Sequence, residues 1–587
     1  MKPTRLFTPS PDNNNCKKRN NKQLRQIQCP QEHLLGKGAF FLYLSYRKVV
    51  IFAVLIGLAL TAGGGIYWYQ QVIYTASLDT RPLNVGIVGE INSLQPAHLG
   101  SPEERLIAST LYEGLVYYDE EAGSIKPRLA RSWKYSADNK TLTIELKKAK
   151  FSNGQPVTAE KVKMAWEKSF STTKEWANIS LFLPIEGSQA RLEGRTPDIT
   201  GVEAVDSDTL RIRLEKPNSA FLHMLTNPIF WVYDGDESID PSPGTGPFVL
   251  QASTEGHTIA MTKNEYYHSS PSRLSALQFT LYEDPYQAFG DFQLNKLDFI
   301  NQVPLAEINN IKENPEYKDK LIDRYLWITY SFGFNMNREP FAGNYLLRRA
   351  LNYAVDRDSI IETVLADSYR TAKGVIPMGL PGYNKQLRGY TYDPEKAKEL
   401  LAEAGYPEGE GLKPLVLAYN RDEGHRAVAE AVAAQFNKLG IEVQLQDMEW
   451  DYYKKQLNEL NLLVFRVGWH ADYPDADSFL YEMYHSSKVR ISNFSGYNNP
   501  QVDKVLDAAR AETKSNEERL KLLQRAEEII VDDAPMLWLF QKKATALTGK
   551  HVRHLQMDGM GLIDWHKVEL LKPSADGEGG NSTEEQV

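Results

Sequence analysis

From position 83 onward, the apolar residues of the chain alternate between short strand spacings and longer helical ones. Leu83–Val88 is a compact apolar run. Leu142, Ile144 and Leu146 alternate with Thr143 and Glu145, the period-two pattern of a half-buried strand, and Leu210, Ile212 and Leu214 repeat it. Leu106, Ile107, Leu111 and Leu115 fall on one face of a helix over 103–115. Val162, Ala165, Trp166 and Phe170 stripe another, with Thr158 as its cap and Glu160 in its first turn. Helical spacing returns over 345–355, then after Asp393-Pro394, an N-cap and N1 pair closed by Gly405, and again over 425–439 up to Gly440. Ile441, Val443 and Leu445 then alternate, and two helices near 500–512 and 516–531 lead into the apolar strand 536–540. Between them, Leu462–Val467 ends at Gly468-Trp469 and breaks into the acidic, aromatic segment 471–477. An apolar run bounded by glycine reads as a buried strand, and open α/β sheets place ligands beyond the carboxyl ends of their strands. Helices alternating with strands predict an α/β architecture, and 587 residues are too many for one core.

Charge changes this picture at the amino end. Residues 1–48 carry a net of +8, which leaves −17 on the rest of a chain whose total is −9. A body that acidic repels phosphate backbones, which argues against nucleic acid as a partner. Residues 49–69 hold no charge and are long enough to cross a bilayer as a helix, with Arg47-Lys48 before them and Tyr67, Trp68 and Tyr69 after. The expected arrangement is a basic, disordered cytoplasmic leader (1–48), a single-pass transmembrane anchor (49–69), and a large body outside the cytoplasm. The polar tail 573–587 reads as disordered. Cys16 and Cys29 both lie in the leader, so the body has no disulfide framework.

Enzyme signatures are missing: the chain has no H-E-x-x-H, G-x-S-x-G or Walker A loop. Gly559-Met560-Gly561 starts a dinucleotide fingerprint that Asp564 breaks. Asp472, Asp475 and Asp477 fail the EF-hand spacing, because Leu480 and Ser486 stand where its glycine and glutamate belong. No enzyme activity, metal or cofactor is expected.

Several stretches in order carry a resemblance. LYEGLV at 111–116, KPRLARSW at 126–133, FSNGQPVTAEKVKMAWEKSF at 151–170, GTGPFVL at 244–250, FNMNREPF at 334–341, RRALNYAVDRDSI at 348–360 and YDPEKAKELLAEAGY at 392–406 resemble the family 5 extracellular solute-binding proteins. Among them the chain is most similar to the oligopeptide-binding type, over about 83–571. The resemblance implies a two-lobed periplasmic-binding-protein-like fold (type II, three subdomains) behind the anchor. Lobe 1 would take 79–102, 240–330 and 541–572, with an inserted subdomain at 103–239, and lobe 2 would take 331–540. Crossovers near 330 and 540 would form the hinge. It further implies a receptor that captures oligopeptides and delivers them to the permease of an ABC importer.

GWHADYPDADSFL at 468–480 is similar to the segment whose aspartate holds a peptide's α-ammonium in that family, which assigns the role to Asp472. A buried carboxylate facing an ammonium is a charge-assisted pair, costly when left alone. Without the resemblance, Asp472 reads as a turn or helix cap before Pro474. Gly468, Trp469 and His470, and the segment around Gly89, Glu90 and Ile91, should offer main-chain hydrogen bonds to an extended peptide, in the manner of strand addition. Arg466 matches a position that can neutralise a ligand carboxylate, Trp450 a pocket-wall tryptophan, and His425 a histidine near the peptide's carboxyl end. Asp475 and Asp477 read as helix-start residues. Arg348, Arg349, Asp356 and Arg357 read as structural ion pairs. Two rival readings remain: a receptor of the same family for a dipeptide, nickel chelate, opine or sugar, and a membrane-anchored peptide sensor without transport.

Overall fold

The computed structural model describes residues 77–572 together with Tyr74, apart from 173–175, 236–240 and 255–256. The leader, the anchor read at 49–69 and the tail from 573 lie outside the described residues. Among the described residues no helix is long and apolar enough to cross a membrane.

Strands β1 (Leu83–Val88), β2 (Val116–Asp119), β3 (Ser124–Pro127), β4 (Ala130–Tyr135), β5 (Thr141–Leu146), β6 (Val202–Ala204) and β7 (Thr209–Arg213) come first. They are followed by β8 (Phe248–Thr254), β9 (Thr258–Lys263), β10 (Ala276–Tyr282) and β11 (Phe299–Ile300). Next come β12 (Tyr325–Phe334), β13 (Tyr369–Thr371), β14 (Leu415–Asn420), β15 (Val443–Met448), β16 (Val464–His470), β17 (Met536–Lys543) and β18 (Leu547–Thr548). They assemble into two six-stranded sheets, ordered β18-β11-β1-β10-β9-β8 and β13-β17-β12-β16-β14-β15, a four-stranded sheet β4-β5-β7-β6 and the hairpin β2-β3. The chain is thus a mixed α/β protein of two lobes, one on each large sheet, with the four-stranded sheet inserted between β1 and β8. The alternation at 142–146 is realised in β5, whose Leu142, Ile144 and Leu146 are buried in the insert's core with Val162, Trp166 and Phe170.

Two segments carry the chain between the large sheets and run side by side. Ile322 N–H donates to Ala546 O, Thr548 N–H to Lys320 O and Ala544 N–H to Arg324 O. They continue into β12 and β17, antiparallel neighbours in the second sheet.

The helix expected over 103–115 is shorter, Pro102–Ala108. The hydroxyls of Ser109 and Thr110 donate to the carbonyls of Leu106 and Ile107 and end it. The chain then extends beside 232 and 246–248, where Val232, Gly246 and Phe248 donate their N–H groups to the carbonyls of Glu113, Leu111 and Thr110. Side-chain oxygens competing for backbone partners explain the early stop. Ser101 and Glu104 form a capping box at the helix start. The buried Glu104 carboxylate also accepts from the N–H groups of Asn92, Ser93, Gly100 and Ser101 at 2.6–3.2 Å, which closes the loop after β1.

Arg348, Arg349, Asp356 and Arg357 are structural, but among the described residues only Arg349 pairs with a carboxylate, that of Asp532. Arg348 donates to the carbonyls of Phe341, Asp533 and Ala534, and Arg357 to those of Asn352, Val355 and Trp538. Asp356 caps the helix Arg357–Val364.

Replacing Glu104 with Gln presents an amide NH2 to two of the four backbone donors. The expected loss is about 1–3 kcal/mol of stability, read by chemical denaturation, with faster hydrogen exchange over 92–101.

Candidate ligand site at the end of β16

β16 is paired on both edges over only two of its seven residues. It pairs with β12 from Val464↔Phe334 to His470↔Ile328, but with β14 only at Val464 and Phe465. Ala471 N–H donates to Trp327 O, so the odd-numbered residues hydrogen-bond toward β12 and the even-numbered ones point their backbone groups the other way. Arg466 spends its carbonyl on the buried Tyr453 hydroxyl, which also lies 3.4 Å from Ala418 O at the point where β14 diverges. Past that point Gly468 and His470 present N–H and C=O to an edge with no ladder partner among the described residues. Trp469 departs from expectation. Its backbone belongs to the ladder opposite Thr329, and its buried ring donates Nε1–H to Ser478 O at 3.0 Å.

His470 lies between two other parts of the fold. Its Nε2 is 3.1 Å from Met560 O and its Nδ1 is 3.5 Å from Arg105 Nη1. Burial, with Arg105 adding to it, pushes its pKa down to about 3. The ring is therefore neutral, with Nε2 the donor and Nδ1 the acceptor.

Asp472 follows at once and is 8% exposed. Its N–H donates to Ser478 Oγ and its carbonyl accepts from Asn227 Nδ2, both at 2.8 Å. Its carboxylate has no hydrogen-bond or ion-pair partner among the described residues. Burial, and then the negative charge of Glu482, push its pKa up to about 7 against the pull of Arg105 and Lys488. The neighbouring acids are all matched. Asp475 takes Arg519 in a two-pronged pair at 2.6 and 2.9 Å. Burial raises the Asp475 pKa, but Arg519 outweighs it and holds the group below the usual range. Asp477 begins the helix Asp477–Tyr484 and is paired with Arg510 at 2.8 Å. Glu482 is paired with Lys488 at 2.7 Å. Asp475 and Asp477 do open a helix, as read from the sequence, but they are also the buried halves of ion pairs.

Arg466 and His425 come together. The Arg466 guanidinium lies 4.9 Å over the Tyr330 ring, whose hydroxyl is 3.4 Å from His425 Nδ1. Burial and then Arg466 push the His425 pKa down to about 4. Arg466 Nε is buried and has no hydrogen-bond partner among the described residues. Trp450 is 51% exposed at the start of the helix Trp450–Asn458, the helix that brings Tyr453 to Arg466. It is a surface ring, not core.

Glu90 and Ile91 lie elsewhere. They follow β1 and line a cavity of about 770 Å³ with His257, Tyr282 and Gln287, and none of 466–472 lines it. A second cavity, about 600 Å³, lies at the far end of β16 and is lined by Arg105, Tyr118, Trp327, Pro474, Asp558 and Met560, among others. Burial pushes the Asp558 pKa up to about 7. Trp327 packs so closely on Gly559 that a Cβ there would sit 2.2 Å from the indole. The sequence reading missed this wall because Arg105 looks like an ordinary surface cation on a helix and 554–564 has no periodic pattern. The capping box at Ser101 and Glu104 was a legible signal for the start of Arg105's helix.

Comparisons with known proteins identify the family. Residues 124–490 match the family model for bacterial extracellular solute-binding proteins, family 5 Middle. Heme-binding protein A of Haemophilus influenzae is 30% identical over 452 residues, 73% of this chain and 81% of its own length. The oligopeptide-binding protein OppA of Bacillus subtilis is 27% identical over 508 residues, 82% and 91% of the two chains. The solved structure of the Escherichia coli murein tripeptide binding protein MppA superposes with a TM-score of 0.71 at 27% identity, covering 85% of this chain and all of that one. The chain belongs to the bacterial extracellular solute-binding proteins of family 5.

Proposed function

We propose that this protein is an extracytoplasmic receptor that captures oligopeptides between its two lobes and delivers them to an ABC importer. One observation carries the reading: a buried carboxylate without a cation, Asp472, stands directly beyond a strand edge left open at Gly468 and His470. An extended peptide adding to that edge finds N–H and C=O partners that ignore side chains, and its terminal ammonium supplies the charge that Asp472 lacks. Arg466 with His425, farther back along β16, is placed for the peptide's carboxyl end, and Trp450 for a wall beside it. Two of the family relatives described above are named for binding peptides, which supports this ligand class.

In this reading 79–102, 240–330 and 541–572 form the lobe that closes on 331–540, and 103–239 is the subdomain inserted in the first lobe. The paired crossing segments act as the hinge, and Glu90 and Ile91 belong to the first lobe's face. Residues 49–69 hold the body at the outer face of the membrane. Binding favours closure because only the closed form meets the peptide from both sides.

Replacing Asp472 with Asn should abolish calorimetric binding of tri- to pentapeptides with free amino ends and leave N-acetylated copies unaffected. Unchanged affinity for the free-amine peptides would overturn the assignment, and retained binding of dipeptides alone would favour a relative with a shorter ligand.

Proton linkage gives a second test. Below about pH 7 the empty site holds a proton that an ammonium must displace, so wild-type affinity should fall about tenfold from pH 8 to pH 6. The same raised pKa means the charged carboxylate destabilises the empty fold above pH 7, and that penalty fades as the pH falls toward 4. The ligand-free Asn variant should therefore melt above wild type at pH 8, with the gap narrowing at pH 5 and closing toward pH 4.

A further inference from the structure

The segment after β16 leaves its own lobe. Tyr473, one residue past Asp472, is fully buried and belongs to the insert's hydrophobic core with Phe182, Ile229 and Phe230. It is that core's one described member from outside 97–232. Its hydroxyl donates to Asp477 Oδ2 at 2.7 Å, and Arg510 holds that carboxylate in turn. The ring sits in one body while its tip is fastened to the other.

Other polar contacts cross the same boundary. Asn227 Nδ2 donates to Asp472 O, and Ser180 Oγ donates to Glu482 Oε2 at 3.2 Å. Ser219 donates its N–H to Arg510 O at 2.8 Å and its hydroxyl to Ala509 O at 3.0 Å. His223 Nε2 lies 4.0 Å from Asp475 Oδ2. The insert is joined by the chain only to the β1 sheet, and 331–540 reaches that sheet only through the two crossing segments. No peptide bond directly joins the insert to the lobe that carries Tyr473, so packing and these hydrogen bonds make the junction.

We propose that Tyr473 is a positioning residue that locks the insert onto the β16 lobe and fixes Asp472 in the cleft, so that amine capture and lobe closure are linked through adjacent residues. The proposal rests on the reading of Asp472 as the amine-holding group. The geometry separates the two roles: Asp472 keeps its carboxylate free while its backbone is clamped by Ser478 from its own lobe and by Asn227 from the insert. A ring withdrawn from the insert's core takes that clamp with it.

The test uses the purified full-length protein with Tyr473→Ala, Tyr473→Phe and Asp472→Asn. Each protein is read, without peptide and with saturating trialanine or trilysine, by small-angle scattering and by hydrogen exchange of the peptide carrying Ser219, and affinity is measured by calorimetry with the same two ligands. Tyr473→Ala should speed exchange at Ser219 about tenfold or more, raise the radius of gyration and weaken peptide binding about tenfold to a hundredfold. Tyr473→Phe, which keeps the buried ring, should restore most of each. Asp472→Asn should lose peptide binding with Ser219 still protected, so failure of the ligand reading and failure of the lock give different results. A folded Tyr473→Ala protein with wild-type Ser219 exchange and radius overturns the proposal. Should that variant not fold, Tyr473→Leu serves in its place, and the same pair of unchanged readings overturns it.

Discussion

Burying a carboxylate without a counterion is expensive, and the region around β16 is arranged to keep Asp472 in that state. A pKa near 7 in place of the ordinary value near 4 means that holding the group charged costs the empty fold about 4 kcal/mol. The neighbourhood holds cations enough to neutralise it, but each is committed elsewhere: Arg519 to Asp475, Arg510 to Asp477 and Lys488 to Glu482. Arg105 touches His470 and lowers the Asp472 pKa only from a distance. These matched pairs stabilise the fold less than they restrict it, since buried ion pairs gain little net energy but punish the loss of either partner. What they leave at Asp472 is a buried carboxylate with no cation of its own among the described residues.

The open edge beside Asp472 arises from a separate constraint. β14 and β16 run parallel for two residue pairs and then part, and the Tyr453 hydroxyl fills the gap by taking Arg466 O and approaching Ala418 O. Beyond the gap the backbone alternates strictly, so the same rule that buries Trp469 in the β12 ladder leaves Gly468 and His470 facing outward. Edge and carboxylate are positioned by different elements, the strand by its sheet and Asp472 by Ser478 and Asn227.

How much of this was legible in the sequence depended on the range of the forces involved. Local spacing found β1, β5, β7, β16 and β17 and the longest helices, because period and caps are properties of a few neighbouring residues; shorter helices such as Trp450–Asn458 went unread. It overran at 103–115, where the hydroxyls of Ser109 and Thr110 and pairing with residues more than a hundred positions away took over. Asp472 alone read as a cap, and the family resemblance singled it out; the missing counterion is visible only once Arg519, Arg510 and Lys488 are brought in from distant helices. Trp469 could not be told from Gly468 and His470 without knowing which edge of the strand was occupied. The wall built from Arg105, Trp327 and Asp558 joins three separate stretches and left no mark in any one of them.

The two crossing segments bear on how the lobes can move. Because Ile322 and Thr548 donate to Ala546 and Lys320 across the pair, one segment cannot slide along or twist about the other without breaking the ladder. Cross-chain hydrogen bonds of this kind fix the register of the two strands on one another. If these segments are the hinge proposed above, their fixed register would bring the same residues face to face at each closure.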